Sequence, residues 1–226
     1  MYKYVIMGIQ GCGKGTQAKM LSKDFNLVHI SVGDIFRWHI QSHTKLAARI
    51  ARSTAAGELV SDDVVEEIVR GRLDQHDWNF GFILDGFPRN RRQAEFFLES
   101  YDIDAVIQIE LADEIVRDRV LNRRLCSRCG LDYNLIFHRP ANPAVCDVCG
   151  GALTSRSDDH PEAVKNRLAD YHNKTKPILE LFSRKELIVS VDGVKPAAEV
   201  QVEIREKLGL TMPAKVDKSQ RAAVHS

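Results

Sequence analysis

The sequence predicts an α/β fold: a five-stranded parallel sheet between two helical layers, carrying a small metal-stapled insertion. Three observations lead there. Five short apolar runs alternate with helix-periodic segments, the pattern of a parallel sheet covered on both faces. The first run, Val5-Ile6-Met7, feeds a glycine-crowded turn with one lysine in it and then a helix. Residues 125–160 break the alternation with cysteines, prolines and glycines and little periodicity.

Each element follows in turn. Four glycines fall within residues 8–15, and from Gln17 apolar residues recur at Ala18, Leu21 and Phe25, which reads as helix 17–25. Val28-His29-Ile30 is a second strand. Ser31 or Asp34 would cap a helix through Ile35, Trp38 and Ile40. Residues 44–56 read as another helix, ended by Gly57, and Ser61 as the cap of helix 62–76. Phe82-Ile83-Leu84 is a strand ending in the carboxylate of Asp85, and Gly86-Phe87-Pro88-Arg89 is a turn. Helix 91–99, strand 105–111 and helix 114–124 follow, the last opened by Asp113. Pro161 opens a long helix to about residue 183, then come strand 187–191 and helix 196–208. The tail 211–226 is polar, without apolar period, and is expected to be disordered.

The chemistry concentrates in three places. Gly8, Gly13 and Lys14 fit the GxxxxGK core of a P-loop, with the hydroxyl one position late at Thr16 because Gly15 intervenes. Glycines let backbone N–H groups approach an anion, the helix N-terminus adds partial positive charge, and Lys14 adds a full one. The fold class is thus that of a P-loop NTPase. Asp85 after the third strand has the Walker B placement for holding Mg²⁺, directly or through water; a strand-end turn residue is the plainer alternative. Arg37, Arg89, Arg119, Arg123, Arg156 and Arg167 fall near element ends, where planar donors suit phosphoryl oxygens; any one alone reads as a surface residue. Cys126-Ser-Arg-Cys129-Gly and Cys146-Asp-Val-Cys149-Gly form two knuckles that together close a tetrahedral site, for structural Zn²⁺ or alternatively Fe, rather than a redox dithiol. Cys12 lies inside the phosphate loop. There the helix N-terminus and Lys14 would lower its thiol pKa and make it oxidant-sensitive, unless it is only a small residue that fits.

At 226 residues the chain can bury one core with a sizeable insertion. A formal net charge of +1 offers no broad basic field for nucleic acid. No apolar run is long enough for a membrane span, and the opening residues read as strand and glycine turn rather than signal peptide. Four of five cysteines in CxxC pairs point to metal binding in a reducing compartment, so the cytoplasm is expected; a monomer is the default expectation.

With these motifs together, the sequence resembles adenylate kinase of the bacterial long-lid type with a zinc-binding lid. The stretches GIQGCGKGTQ, ISVGDIFR, GELVSDD, GFILDGFPR with Gln93, DRVLNRR, the four-cysteine insert, SRSDDHPEAVKNRL and VDGVKP carry the resemblance. It implies the Mg²⁺-dependent reaction ATP + AMP ⇌ 2 ADP, without a covalent intermediate, in adenine nucleotide homeostasis. It also implies three parts: a core of residues 1–121 and 160–210, an AMP-binding segment at 31–60 within it, and a lid at 122–159. By the same resemblance Gly11, Cys12, Gly13, Lys14, Gly15 and Thr16 hold the ATP phosphates. Arg119 stacks on the ATP adenine, Arg123 contacts the phosphates, Asp132 and Tyr133 border ATP, and Lys195 meets adenine through its backbone. Val32, Arg37, Glu58, Leu59, Val60, Gly86, Phe87, Pro88, Arg89 and Gln93 form the AMP pocket. Arg156 and Arg167 swing in on both nucleotides, Lys14 follows the transferred group, and Asp85 anchors the Mg²⁺ water shell.

The chain departs from the family pattern at three points. Gln10 stands where Pro is usual, Val32 where Thr is usual, and the lid's Tyr-His pair reads Tyr133-Asn134. Val32 keeps the shape of Thr and loses a hydrogen bond worth roughly 1–3 kcal/mol of discrimination, which keeps a UMP or CMP kinase as the alternative. Two other classes are a zinc-knuckle nucleic-acid binder, which would need a basic aromatic face around the cysteines, and a P-loop switch, which would need a partner's arginine.

Overall fold

The computed structural model describes residues 1–185 and 187–211, so the expectation of a disordered tail falls, but for Thr211, outside them. Its centre is a five-stranded parallel sheet of β1 (Lys3–Gly8), β2 (Val28–Ser31), β3 (Phe82–Asp85), β4 (Ala105–Glu110) and β8 (Ile188–Asp192) in the order β2-β3-β1-β4-β8. Tyr4 is in register with Ile83 on one side and Ala105 on the other. The period-2 alternation of side chains divides β1 between two cores. Val5 and Met7 join the cluster around Phe36, Val69, Phe82 and Phe97, while Tyr4 and Ile6 join the cluster around Leu21, Val116, Leu168 and Ile204. Helices cover both faces, which is why the strands read as continuous apolar runs.

From β1 the chain runs through α1 (Lys14–Phe25) to β2, and from β3 it crosses to β4 on the other side of β1. The connections diverge there, and a crevice opens at the carboxyl ends of β1 and β3. Helices α2 (Val32–Gln41), α3 (Ala47–Ala56), α4 (Asp62–Asp74) and α5 (Arg91–Ser100) form one wall, and α6 (Asp113–Leu121), α7 (Pro161–Asp170) and α9 (Ala197–Lys207) the other. Ser31 caps α2, its hydroxyl accepting from Asp34 N at 3.3 Å. Ser61 holds the N-cap position of α4 without a side-chain cap bond; Asp62 and Asp63 in the first turn meet the dipole instead.

Several boundaries differ from the sequence expectation; α1, expected from residue 17, already begins at Lys14, and three further differences have a local cause. The second wall helix, expected from residue 44, begins at Ala47, because His43 takes a left-handed φ of 48° and breaks the chain direction. Helix α6 stops at Leu121 rather than 124, so Arg123 already belongs to a strand. The long helix from Pro161 is interrupted: a π-turn at Tyr171–Thr175 and a 3₁₀ turn at Lys176–Ile178 precede α8 (Leu179–Ser183). Pro177 has no N–H to offer the carbonyl four residues back, and its ring crowds that carbonyl, so the helical ladder must loosen before it.

The insertion carries a three-stranded antiparallel sheet, β6-β5-β7, built from β5 (Arg123–Cys126), β6 (Asp132–Asn134) and β7 (Leu153–Thr154). Its core is small: Cys126, Cys146 and Tyr133, with Cys149 and Leu153 against them.

Candidate active site

The crevice at the strand ends is one cleft of about 870 Å³. The candidates from the P-loop, Asp85, the arginines, the 31–60 segment, the turn after β3 and Lys195 all line it, as do Asp132 and Tyr133 of the insertion. The four cysteines of the two knuckles gather apart from it, as a separate cluster.

The loop after β1 has the shape an anion needs. Gly13 takes φ 104° as the N-cap of α1, with no side chain capping the helix, so the first-turn N–H groups are left to face the cleft. A Cβ on Gly8 would come within 2.5 Å of the Ile109 carbonyl oxygen and 2.8 Å of Cys12 Sγ, so only glycine fits there. Lys14 folds back over the loop and donates from Nζ to the carbonyls of Gly8 at 2.7 Å and Ile9 at 2.9 Å. The expectation for Cys12 is corrected. Its side chain is buried at 2% exposure, and burial pushes the thiol pKa up, outweighing the nearby Lys14. Cys12 is a packing residue of the β1–α6 core.

Asp85 ends β3 at the cleft floor. A side chain on Gly15 would stand 3.6 Å from Asp85 Oδ2, so the bare glycine keeps the space between carboxylate and helix open. A carboxylate facing open space beside a phosphate loop is a donor set that suits Mg²⁺. His29 Nε2 lies 3.6 Å from the same oxygen and makes no hydrogen bond among the described residues.

On the 31–60 side the wall is apolar. Val32 is 2% exposed and packs with Phe36, Val60 and Val65. Gln93, also buried, accepts from Arg89 N at 2.8 Å and donates to Asp62 Oδ1 at 2.7 Å. Asp62 thus holds the amide of Gln93, a role the sequence did not disclose. The segment is tied to α7 by His160, whose Nδ1 accepts from Ala163 N at 3.3 Å while Nε2 donates to the Ala55 carbonyl at 3.2 Å.

Between the two walls lies a cluster of guanidinium groups and carboxylates. Arg123 Nε donates to Asp159 Oδ2 at 2.8 Å, and Arg167 donates to the Asp158 carbonyl at 2.8 Å and to its carboxylate. The side chains of Asp158 and Asp159 are 4% and 1% exposed. They were missed as site residues although both stand in the SRSDDHPEA stretch; adjacent acids before a helix read equally as a cap. Arg37 pairs with Asp34. Arg89 donates from Nε to the Gly86 carbonyl at 2.8 Å and forms no ion pair among the described residues. Burial, with Arg167 nearby, holds its pKa below the usual arginine value. Arg156 is pushed down to about 10, first by burial and then by Arg123 and Arg37, and its Nε is buried without a hydrogen-bond partner among the described residues. Its nearest carboxylate is Asp132, at 3.8 Å. Cations crowded together and incompletely paired raise the potential of the cleft and favour a polyanion.

The four cysteine sulfurs lie within 4.8 Å of one another, with Cys126 and Cys149 3.3 Å apart and Cys129 and Cys146 3.7 Å apart. Tetrahedral Zn²⁺ with Zn–S bonds of about 2.3 Å would set sulfurs about 3.8 Å apart, so the cluster fits a four-thiolate metal. Amides of Arg128 and Cys129 donate to Cys126 Sγ at 3.4 Å, and this lowers that thiol's pKa. Tyr133, 4% exposed, takes a hydrogen bond from Asp147 N at 3.0 Å and gives its own to Cys146 Sγ at 3.4 Å, which holds Cys146 down to about 6. The hydroxyl of Tyr133 therefore serves the cysteine cluster, whereas Asp132 beside it reaches Lys19 at 3.5 Å across the cleft.

No helix among the described residues is long and apolar enough to cross a membrane. The sequence model described as adenylate kinase matches residues 6–187. The adenylate kinase of Caldicellulosiruptor bescii is 41% identical over 213 residues, covering 92% of this chain and 99% of that protein. That of Bacillus licheniformis is 42% identical over 210 residues, covering 91% and 97%, and that of Methanocella arvoryzae 41% over 209 residues, covering 90% and 96%. The matched span runs from the P-loop strand through the guanidinium cluster and the cysteine insertion, and the chain belongs to the adenylate kinase family.

Proposed function

We propose that this chain carries out ATP + AMP ⇌ 2 ADP with Mg²⁺, by in-line transfer and without a covalent intermediate. The observation that carries the reading is the incomplete pairing of Arg89 and Arg156 inside a cleft whose floor is a P-loop. Two partly buried guanidinium groups short of acceptors call for oxyanions from outside, and a transferring phosphoryl group with its donor and acceptor phosphates supplies them.

The roles follow from position. The first-turn amides of α1 and Lys14 take the donor's β- and γ-phosphates; Lys14 exchanges its two carbonyl acceptors for phosphate oxygens. Arg37, Arg89 and Gln93 hold the acceptor on the apolar wall of Val32, Val60 and Phe87, with Glu58, Leu59, Gly86 and Pro88 completing it. Arg119 and the backbone of Lys195 take the donor base. Arg123, Arg156 and Arg167 close on the phosphates from both sides. An acceptor phosphate oxygen then bonds to the γ-phosphorus while the bond to the β–γ bridging oxygen breaks, and no protein nucleophile is required. Mg²⁺ at Asp85 supplies charge neutralisation on the donor phosphates when bound. The segment at 31–60 and the lid at 122–159 move against the core of 1–121 and 160–210, expelling water that would otherwise accept the phosphoryl group. Zn²⁺ on the four cysteines holds the lid, which is too small to fold by a hydrophobic core alone. We place the protein in the cytoplasm as a monomer acting on free nucleotides.

The test is an acceptor screen with ATP and AMP, UMP, CMP or GMP. AMP is expected to give the highest kcat/KM, and a pyrimidine monophosphate ahead of it would replace the substrate assignment. Two adenosines bridged by five phosphates should bind far more tightly than ATP, since they span both halves of the cleft. Equal affinity would remove the two-site reading.

A further inference from the structure

Tyr133 touches two places at once. On β6 it is in register with Arg124 of β5, the strand that ends in Cys126 of the first knuckle. Its hydroxyl accepts from Asp147 N at 3.0 Å and donates to Cys146 Sγ at 3.4 Å, both in the second knuckle. One phenol therefore joins the strand of one knuckle to the turn of the other. Its ring is stacked on that of His138, with centroids 5.4 Å apart. Tyr133 is buried, yet it borders the cleft beside Asp132. Asp132 reaches toward the core: its carboxylate stands 3.5 Å from Lys19 Nζ of α1 and 3.8 Å from Arg156. Neighbours on a strand point to opposite sides, so β6 carries a cleft contact on one residue and a sulfur contact on the next.

We propose that Tyr133 is a positioning residue of the four-thiolate centre, and that through β6 it couples retention of the metal to occupancy of the donor site in the cleft. This rests on the adenylate kinase reading and goes beyond it, since it links the metal to the nucleotide. A metal-bound sulfur keeps lone pairs, and a hydrogen bond to one of them fixes the thiolate's direction and draws off part of its charge. Cys146 leaves the metal only if the second knuckle swings out, which breaks both bonds to the Tyr133 hydroxyl. That hydroxyl is placed by β6. A triphosphate lodged between α1 and β6 restrains the strand, and with it the knuckle. By reciprocity, the metal favours donor binding by the same factor that the donor favours the metal.

The experiment is release of Zn²⁺ from the full-length, zinc-loaded enzyme into an excess of a chromogenic chelator, with and without saturating Mg²⁺–ATP and in the absence of AMP. Calorimetric titration of ATP into the same protein tests the reading itself, and an absence of binding would remove it. ATP should slow release by about fivefold or more. Tyr133→Phe keeps the ring and loses the hydroxyl. It should release the metal about 10–100-fold faster and lose the protection that ATP gives. Loaded with Co²⁺, this variant should shift its sulfur-to-metal charge-transfer bands to longer wavelength, because Cys146 has lost a hydrogen bond; a loosened fold alone would not shift them. Asp132→Asn keeps the Tyr133–Cys146 contact. Its release without ATP should stay within about twofold of the wild type, while the effect of ATP shrinks. ATP that binds without slowing release overturns the coupling and leaves the reading standing. So does equal protection in Tyr133→Phe and the wild type, or cobalt bands unmoved by the substitution. Should Tyr133→Phe take up no metal, undiminished protection in Asp132→Asn overturns the coupling, and lost protection supports it.

Discussion

The hydroxyl of Thr175 donates to the carbonyl oxygen of Arg89 at 2.7 Å, joining a π-turn to the turn after β3. Arg89 is thereby held at three points, through Gln93 on its N–H, Gly86 on its Nε and Thr175 on its carbonyl. Thr175→Val leaves that carbonyl without its donor in a buried place, a cost of about 1–2 kcal/mol. We expect a fall in melting temperature of roughly 2–6 °C and a drop in kcat of about tenfold. Thr175→Ser should restore both. Unchanged kcat in the Val variant would show that Arg89 needs no such anchor.

Lys14→Ala removes the only full positive charge on the loop. The two carbonyls that Lys14 contacts belong to a loop held by its glycines and by the Cys12–Ile9 backbone bond of 3.2 Å. Transfer should fall by about 10²–10³-fold, with the melting temperature lowered by only a few degrees. Circular dichroism melts beside ADP-formation rates separate the two effects.

Asp158 sets an acid limb for stability. Burial works to raise its pKa, but the Arg167 guanidinium more than offsets this and holds it below the ordinary 3.8. A carboxylate depressed in the folded state stabilises above its unfolded pKa, and the contribution is lost as pH falls through the folded value. Asp158→Asn should therefore lower the melting temperature at pH 7, by the equivalent of about 1–3 kcal/mol. The gap from the wild type should narrow as pH drops below about 4. A constant gap from pH 7 to 3 would mean that Asp158 does not ionise with Arg167 as partner.

Cys149→Ala opens the four-sulfur cluster. Release of one equivalent of metal, a lower melting temperature and partial survival of transfer are expected, since the cluster is separate from the cleft. Retention of that equivalent after all four cysteines are replaced would move the metal elsewhere.

Cys12, buried and with its thiol pKa raised, should resist maleimide in the folded enzyme while Cys129, which is exposed, reacts once metal is removed. Peptide mass spectrometry after brief labelling reads both. Rapid labelling of Cys12 would restore the activated-thiol reading that burial displaced.

Much of the fold and cleft was legible residue by residue. The GxxxxGK spacing located the loop, the apolar run to Asp85 located the third strand's end, and CxxC spacing brought four sulfurs together. These are local signals, because glycine conformation, strand burial and knuckle turns depend on neighbours a few residues away. The partners that set the electrostatics were not legible. Asp159 meets Arg123 across 36 positions, Asp62 meets Gln93 across 31, and Thr175 meets Arg89 across 86.

By itself the sequence determined the parallel α/β architecture, the glycine loop and the four-cysteine cluster, since each is encoded in short-range spacing. Only the tertiary structure decided that Cys12 is a packed side chain and not a reactive one, because its pKa follows from burial against β4 and α6 and not from the lysine beside it in the chain. It likewise decided that Arg89 and Arg156 are left short of acceptors while Arg123 and Arg167 are paired, since the competition for carboxylates is settled by distance through space.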